Sequence, residues 1–443
     1  MAVGSRFRAD PGWQARLPFF YGWLIAGIAL STTYFGIGLT WAASIFAVPM
    51  KEDLGWGNAA IFFALSLRGW TGILIAPFVG PYLDRIHGVR KFSVAGGLIN
   101  AVSLLLIGFV DAEWQFVVLF GVVGGFAQAF QAGANVIIPK WFIRKRGMAA
   151  SLASAGGGLA AFTLPPLLVG VDAAVGWRAG WFVLAMLALL FSALPSVLLR
   201  RQPEDLGLLP DGDKEPPVAA HGLASRDEGD FTRAEALRTQ TFWILIVAVA
   251  LGALAANGLP ANLTNIFVDR DLSFDLAATS LVLYGVASIA AKLFWGWLAN
   301  RFHLRTVLLL LTGYGALAVP SLLLLPESLG SLALVYGAIV GFYVGAYIPL
   351  HFLVWATYFG RQHVGAVSGV GRPLSAAFLA GGPFIIAFAR DVFGTYSAGL
   401  LLAAAGIAAA FICLLFVQPP QHPSSAAKRI ESRRDESIAA PTG

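Results

Sequence analysis

Apolar residues run along this chain in twelve long blocks rather than alternating with polar ones. The blocks lie near 21–48, 59–82, 91–110, 114–138, 148–171, 178–199, 241–268, 277–299, 305–326, 331–355, 364–389 and 396–418. Each holds roughly 20 to 28 residues, enough helix at 1.5 Å per residue to cross about 30 Å of hydrocarbon. In oil every backbone N–H and C=O has to be satisfied within the segment, so helices are the predicted form. Internal Gly and Pro recur, as in GGGLAAFTLPPLL (156–168) and LAGGPF (379–384). Between packed membrane helices such residues permit close approach, and freed backbone groups find new partners. The expectation is an all-α membrane protein with twelve transmembrane helices.

The polar intervals divide the chain. Residues 1–20 read as an N-terminal tail, 21–199 as one six-helix bundle, 200–240 as a linker, 241–418 as a second bundle and 419–443 as a disordered C-terminal tail. The linker, RRQPEDLGLLPDGDKEPPVAAHGLASRDEGDFTRAEALRTQ, is of mixed charge and rich in Pro and Gly. No cleavable leader is expected, because Arg6, Arg8 and Arg16 precede no separate apolar core with a cleavage site.

The two bundles repeat. FVGPYLDRIHGVRKF (78–92) aligns with FWGWLANRFHLRTVL (294–308), Gly80 matching Gly296 and Arg85 matching Arg301 at a separation of 216 residues. WFIRKRGMAASLASAGG (141–157) aligns with YFGRQHVGAVSGVGRPL (358–374) at a separation of 217, and GLTWAASIF (38–46) is similar to GLPANLTNIF (258–267). A duplicated six-helix unit in parallel orientation follows, with a site expected between the halves.

Composition agrees: 58% of residues are hydrophobic and 12% charged, against about 25% charged in ordinary soluble domains. With the N-terminus in the cytoplasm, 23 of the 30 Lys and Arg fall in inside segments. That bias puts both termini in the cytoplasm of a multi-pass protein of the cell (inner) membrane. The basic balance is therefore a topology signal, and no nucleic-acid partner is expected. Within the predicted spans remain Arg68, Lys292 and Arg372, while the acids divide into 14 inside and 10 outside, with none in the spans.

Several short motifs resemble a known group. Gly80, Asp84, Arg85, Gly88 and Arg90, with His87 and Lys91 alongside, resemble the loop signature of the major facilitator superfamily. YGW (21–23), WFIRKRGMAASLASAGG, GWR (176–178), RRQPEDLGLLPDG and YFGRQHVGAVSG are similar to the bacterial branch of its monocarboxylate porters and oxalate/formate antiporters. The resemblance spans about residues 20–418 and implies two pseudo-symmetric six-helix bundles working by rocker-switch alternating access. It also implies a cytoplasmic gate at Asp84, Arg85 and Arg90, joined here by Arg144, Arg146 and Arg301. Basic residues in spans 8 and 11 are associated with the substrate anion in such carriers, and Lys292 and Arg372 match those places. Two departures stand out: Asn300 replaces the acid of the first-half loop, and Tyr21-Gly22-Trp23 lacks the acidic residue usual in monocarboxylate porters.

Lys292 lies nine residues before Arg301, about 13 Å along a helix, beyond the roughly 6 Å a lysine reaches by snorkelling. Tyr284 and Ser288 share its face, which reads as cavity-lining. Arg372 can grip a carboxylate with two parallel hydrogen bonds, and lysine supplies a point charge. Arg68 reads equally as an anion guide at the outer mouth or as a carbonyl-bound structural arginine. Polar stripes at Gln128, Gln131 and Asn135 in span 4, and at Tyr343, Tyr347 and His351 in span 10, read as substrate-facing or as helix-to-helix hydrogen bonds. Asn257 and Tyr34 are further candidates.

Intramembrane cations without acids leave an anion to complete the site. The expected function is transport of small organic anions, mono- or dicarboxylates, with exchange favoured. Proton-coupled symport, with His351 as the titrating group, is the alternative, followed by export of neutral or amphipathic molecules. Without a converging nucleophile, base or metal cluster an enzyme is not expected, nor is any cofactor or metal; the expected partners are the substrate anion and the bilayer, and the expected state is a monomer.

Overall fold

The computed structural model describes residues 18–420 apart from Asp84, Arg144, 214–230, 325–331, 360–363 and Pro419. Among the described residues there is no β-strand. Eleven helices are long and apolar enough to cross a membrane: α1 (Tyr21–Leu54), α2 (Asn58–Leu83), α3 (Gly88–Ile107), α4 (Glu113–Trp141), α5 (Arg146–Val175), α6 (Trp177–Leu198), α7 (Gln240–Val268), α8 (Phe274–Arg301), α10 (Leu332–Phe359), α11 (Val364–Phe393) and α12 (Ser397–Leu415). The ninth, α9 (Leu304–Ala318), is shorter than expected because the chain tightens into a 3₁₀ turn at Pro320–Leu324. Several helices outrun the predicted spans and gather acids into their terminal turns: Glu52 and Asp53 in α1, Asp172 in α5, Asp275 in α8 and Asp391 in α11. The middle turns remain free of them.

Apolar on all sides, these helices are held by shape rather than by amphipathic faces. The tightest seam joins α8 to α10. Gly337, Gly341 and Gly345 recur every four residues of α10 and meet Ser280, Tyr284 and Ser288 of α8 in turn. A Cβ on them would lie 2.4, 2.3 and 2.4 Å from the three carbonyl oxygens. Backbones this close leave no room for a side chain. The same device joins α7 to α11, where a Cβ on Gly382 would lie 2.2 Å from the Leu254 carbonyl.

The start of the linker is pinned. Asp211 accepts from the backbone N–H of Ile143 and Lys145, at 3.0 and 3.1 Å, just before α5 begins. Beyond the gap, Thr232 and Glu235 form a reciprocal cap on a one-turn helix, Arg233–Leu237.

One end of the molecule carries Arg85, Arg90, Arg200, Arg301 and Arg305, the basic end; the other carries Arg178 and Arg390 with their acids, the far end. The halves join in the middle and at the far end. Trp70 Nε1 donates to the Ala377 carbonyl at 2.9 Å, the Phe384 N–H to Ser66 Oγ at 3.2 Å and Asn265 Nδ2 to the Ser44 carbonyl at 3.0 Å. Outermost, Asp391 of α11 accepts from the Ala59 N–H in the first turn of α2, at 2.8 Å. Towards the basic end the same faces stand apart. Leu74 and Phe78, one and two turns beyond Trp70, are 69% and 72% exposed. Ile289 abuts the Gly158 position, yet Leu293, one turn on, is 73% exposed.

Gly345→Val is expected to lower the unfolding midpoint in detergent, by overpacking of about 1–3 kcal/mol. Gly296→Ala, whose Cβ would meet nothing within 4 Å, is the control and stays near the parent; equal midpoints for both would contradict the seam. Asp391→Ala removes one end-of-helix hydrogen bond, about 1 kcal/mol. In a Val48→Cys, Cys413→Ser background it should speed labelling by a membrane-impermeant maleimide about fivefold, whereas an unchanged rate would deny Asp391 a role in closure.

Candidate functional site

Lys292 is half-buried in α8, one turn beyond Ser288. Among the described residues it has no hydrogen-bond or ion-pair partner. The far-end arginines differ: Arg178 pairs with Asp53 and Asp111, and Arg390 with Asp269 at 2.9 Å. The four-residue register of the α8–α10 seam, carried one step on, sets Lys292 level with Pro349. Proline lacks an N–H, so the Gly345 carbonyl is released from the helix ladder at this height. Tyr284 and Ser288 lie within the seam itself, against Gly341 and Gly345, and the Tyr284 ring meets Trp41 of α1 edge-on at 5.0 Å. They pack the helix that carries Lys292 rather than standing free beside it.

A cavity of about 160 Å³ lies in the second half between α7, α10 and α11. Tyr347, His351 and Trp355 form its α10 wall, and Ser375, Ala376 and Leu379 its α11 wall. His351 Nδ1 shares a hydrogen bond with the Tyr347 carbonyl, which can only accept, so Nδ1 carries the proton. The Tyr347 hydroxyl donates in turn to the Val249 carbonyl of α7, and the two rings stack at 3.8 Å. Tyr343, one turn earlier, leaves the stripe: it is fully buried against Gly315 of α9. Arg372 occupies α11 one turn before Ala376, and its side chain falls outside the described residues. Asn257 of α7 donates to the Leu379 carbonyl at 3.0 Å, tying α7 to α11.

The first half splits its stripe. Gln128 and Asn135 are exposed, whereas Gln131 is buried, receiving Ser192 Oγ of α6 at 3.4 Å. The reason is that α4 is no single regular helix. The ladder breaks at Ala132, between Gln131 and Asn135, and Gln131 itself turns to α6, so equal spacing does not give one face. Tyr34 shares a 2.7 Å hydrogen bond with Thr163 of α5, and Asn135 pairs with Thr33. Arg68 is buried inside the first half, donating to Asn100 Oδ1 of α3 at 2.9 Å with its guanidinium 5.2 Å from the Phe120 ring centre. This seats it among α2, α3 and α4, inside the first half.

Of the expected gate, Asp84, Arg144 and the side chain of Arg146 lie outside the described residues. Arg85 rests over Tyr82 at 4.5 Å and Arg301 over Trp297 at 4.7 Å, cation–π contacts to rings at non-equivalent positions of the two halves. Arg90 borders a separate groove with Arg200 and Arg201. Sequence reasoning missed Trp355 and Asp391. Trp355 was within reach, since it continues the four-residue series of Tyr347 and His351; Asp391 carries no local signal of its partner 332 residues away.

A family profile described as Major Facilitator Superfamily matches residues 30–373 and 263–438. The chain belongs to this superfamily. It is similar to monocarboxylate transporter 11 of Homo sapiens, 27% identical over 408 residues, which is 89% of this chain and 80% of the relative. Monocarboxylate transporter 12 of Rattus norvegicus is 24% identical over 424 residues, 90% and 84% of the two chains. Monocarboxylate transporter 3 of Rattus norvegicus is 26% identical over 314 residues, 69% and 59%. Membership makes the protein a multi-pass membrane transporter of the superfamily rather than an enzyme.

Asn100→Leu should destabilise the protein by about 1.5–3 kcal/mol, because it strips a buried guanidinium of its partner. A lowered unfolding midpoint in detergent checks this; an unchanged midpoint would contradict the structural role of Arg68.

Proposed function

We propose that the protein carries small organic anions, mono- or dicarboxylates, across the cell (inner) membrane with both termini in the cytoplasm. The observation that carries this reading is Lys292, a cation in the middle of an apolar helix with no acid partner among the described residues. An intramembrane charge of this kind is costly unless a partner completes it, and an anionic substrate does so. Arg372, in α11, is the second anchor. The relatives named monocarboxylate transporters support a carboxylate over other anions, and the motifs extend the resemblance to the oxalate/formate branch.

The route is alternating access. Halves joined at the far end and parted at the basic end correspond to the state open towards the cytoplasm, with Asp391 and Ala59 closing the outside. Return of the empty carrier has to close the halves around an unpaired Lys292, so exchange of one anion for another is favoured. The second reading, proton-coupled symport, would use His351 beside the cavity, whose Nε2 is the ring nitrogen left to take up a proton.

Lys292→Gln and Arg372→Gln are each expected to reduce labelled carboxylate uptake into proteoliposomes at least about tenfold, the loss of one charge-assisted hydrogen bond. Normal uptake by both variants would refute the anion site. Preloading the vesicles with unlabelled substrate should stimulate uptake, and equal rates into loaded and empty vesicles would refute exchange.

A further inference from the structure

The cavity between α7, α10 and α11 has its own chemistry. We infer that it is a tail pocket, which makes the substrate a monocarboxylate bearing a compact apolar group of about six carbons, ring-shaped or branched, rather than a one- to three-carbon acid or a dicarboxylate. This rests on the carboxylate-carrier reading of Lys292 and Arg372.

Size comes first. The cavity measures about 160 Å³, and an apolar protein cavity of about 150 Å³ stays dry and admits a benzene ring. Formate or pyruvate would leave most of it empty. The chemistry of the wall comes next. Val249 and Ala253 of α7, Ile348 and Trp355 of α10 and Ala376 and Leu379 of α11 supply an almost wholly apolar lining. The polar atoms that approach it are largely committed already: the Tyr347 hydroxyl to the Val249 carbonyl, and His351 Nδ1 to the Tyr347 carbonyl. Among the described wall residues there is no cation and no acid. A second carboxylate placed here would lose its water and gain no countercharge. A flat apolar group would instead meet the stacked rings of Tyr347 and His351 and the indole of Trp355.

Position links the pocket to the anchors. Trp355 packs on Gly371, where a Cβ would lie 2.3 Å from the indole, and Arg372 follows directly in the chain. Lys292 is level with Pro349, between Tyr347 and His351 along α10. Lys292 and Arg372 thus occupy chain positions level with the pocket, one on α8 and one on α11. In this proposal a carboxylate held by them places its apolar substituent against those walls.

The test is calorimetric binding to the purified full chain in detergent, with benzoate and cyclohexanecarboxylate set against formate, pyruvate and succinate. The ring acids should bind at least about tenfold more tightly than any of the three. Ala253→Leu and Ala376→Leu fill the pocket from opposite walls, and each should cut ring-acid affinity at least about tenfold, with unfolding midpoints confirming folded protein. Equal or tighter binding of formate, pyruvate or succinate overturns the inference. So does undiminished ring-acid binding by both filled, folded variants. If no acid binds, or if Lys292→Gln and Arg372→Gln both bind the ring acids as the parent does, the carrier reading falls and takes the inference with it.

Discussion

A lysine ammonium at mid-depth in an apolar helix costs at least about 2.5–3.5 kcal/mol on insertion scales, and in this protein no described acid offsets it. The packing around Lys292 is organised to hold that charge in place. Glycines at every fourth position of α10 bring α8 against it, Tyr284 and Ser288 lock the register, and Pro349 releases a carbonyl at the height of the lysine. Several other cations meet partners within the chain. Arg178 and Arg390 hold carboxylates at the far end, Arg68 holds Asn100 inside the first half, and Arg85 and Arg301 lie on aromatic rings. Lys292, within an apolar span, has no hydrogen-bond or ion-pair partner among the described residues, which is why its partner is sought outside the chain.

Conformational change follows from the same geometry. The two halves touch along α2 and α11 and along α5 and α8, and their hydrogen bonds cluster from mid-depth to the far end. Bonds between a backbone group and a single side chain are individually weak, each about 0.5–1.5 kcal/mol net. A few of them can be exchanged for contacts at the basic end without a large energy change. The proposed rocking therefore needs no rearrangement within the second bundle, whose glycine seams are too tight to slide.

Much of this architecture was legible in the sequence because bilayer thickness fixes span length and duplication leaves a measurable period. The aligned Arg85 and Arg301 each lie over a ring, though the rings, Tyr82 and Trp297, stand at non-equivalent positions. What periodicity could not supply was direction. Tyr284 and Ser288 share a face with Lys292, but the glycines that claim that face lie on α10, more than 50 residues away. Gln131 parts from Gln128 because Ser192 of α6 packs over it and bonds its side chain, while Gln128 stays exposed. Arg68 faces inward because Asn100, with a short side chain on α3, can reach it. In each case the deciding residue belongs to another helix.

The central claim is that an anionic charge on the substrate completes the site at Lys292. The most direct measurement compares binding of a carboxylic acid and its isosteric carboxamide to the parent protein, by calorimetry at a pH where the acid is fully ionised. The account predicts that the carboxylate binds at least about a hundredfold more tightly, since the amide keeps shape and hydrogen bonding while removing the charge and leaving the buried cation unpaired. Equal affinity for the two would contradict it.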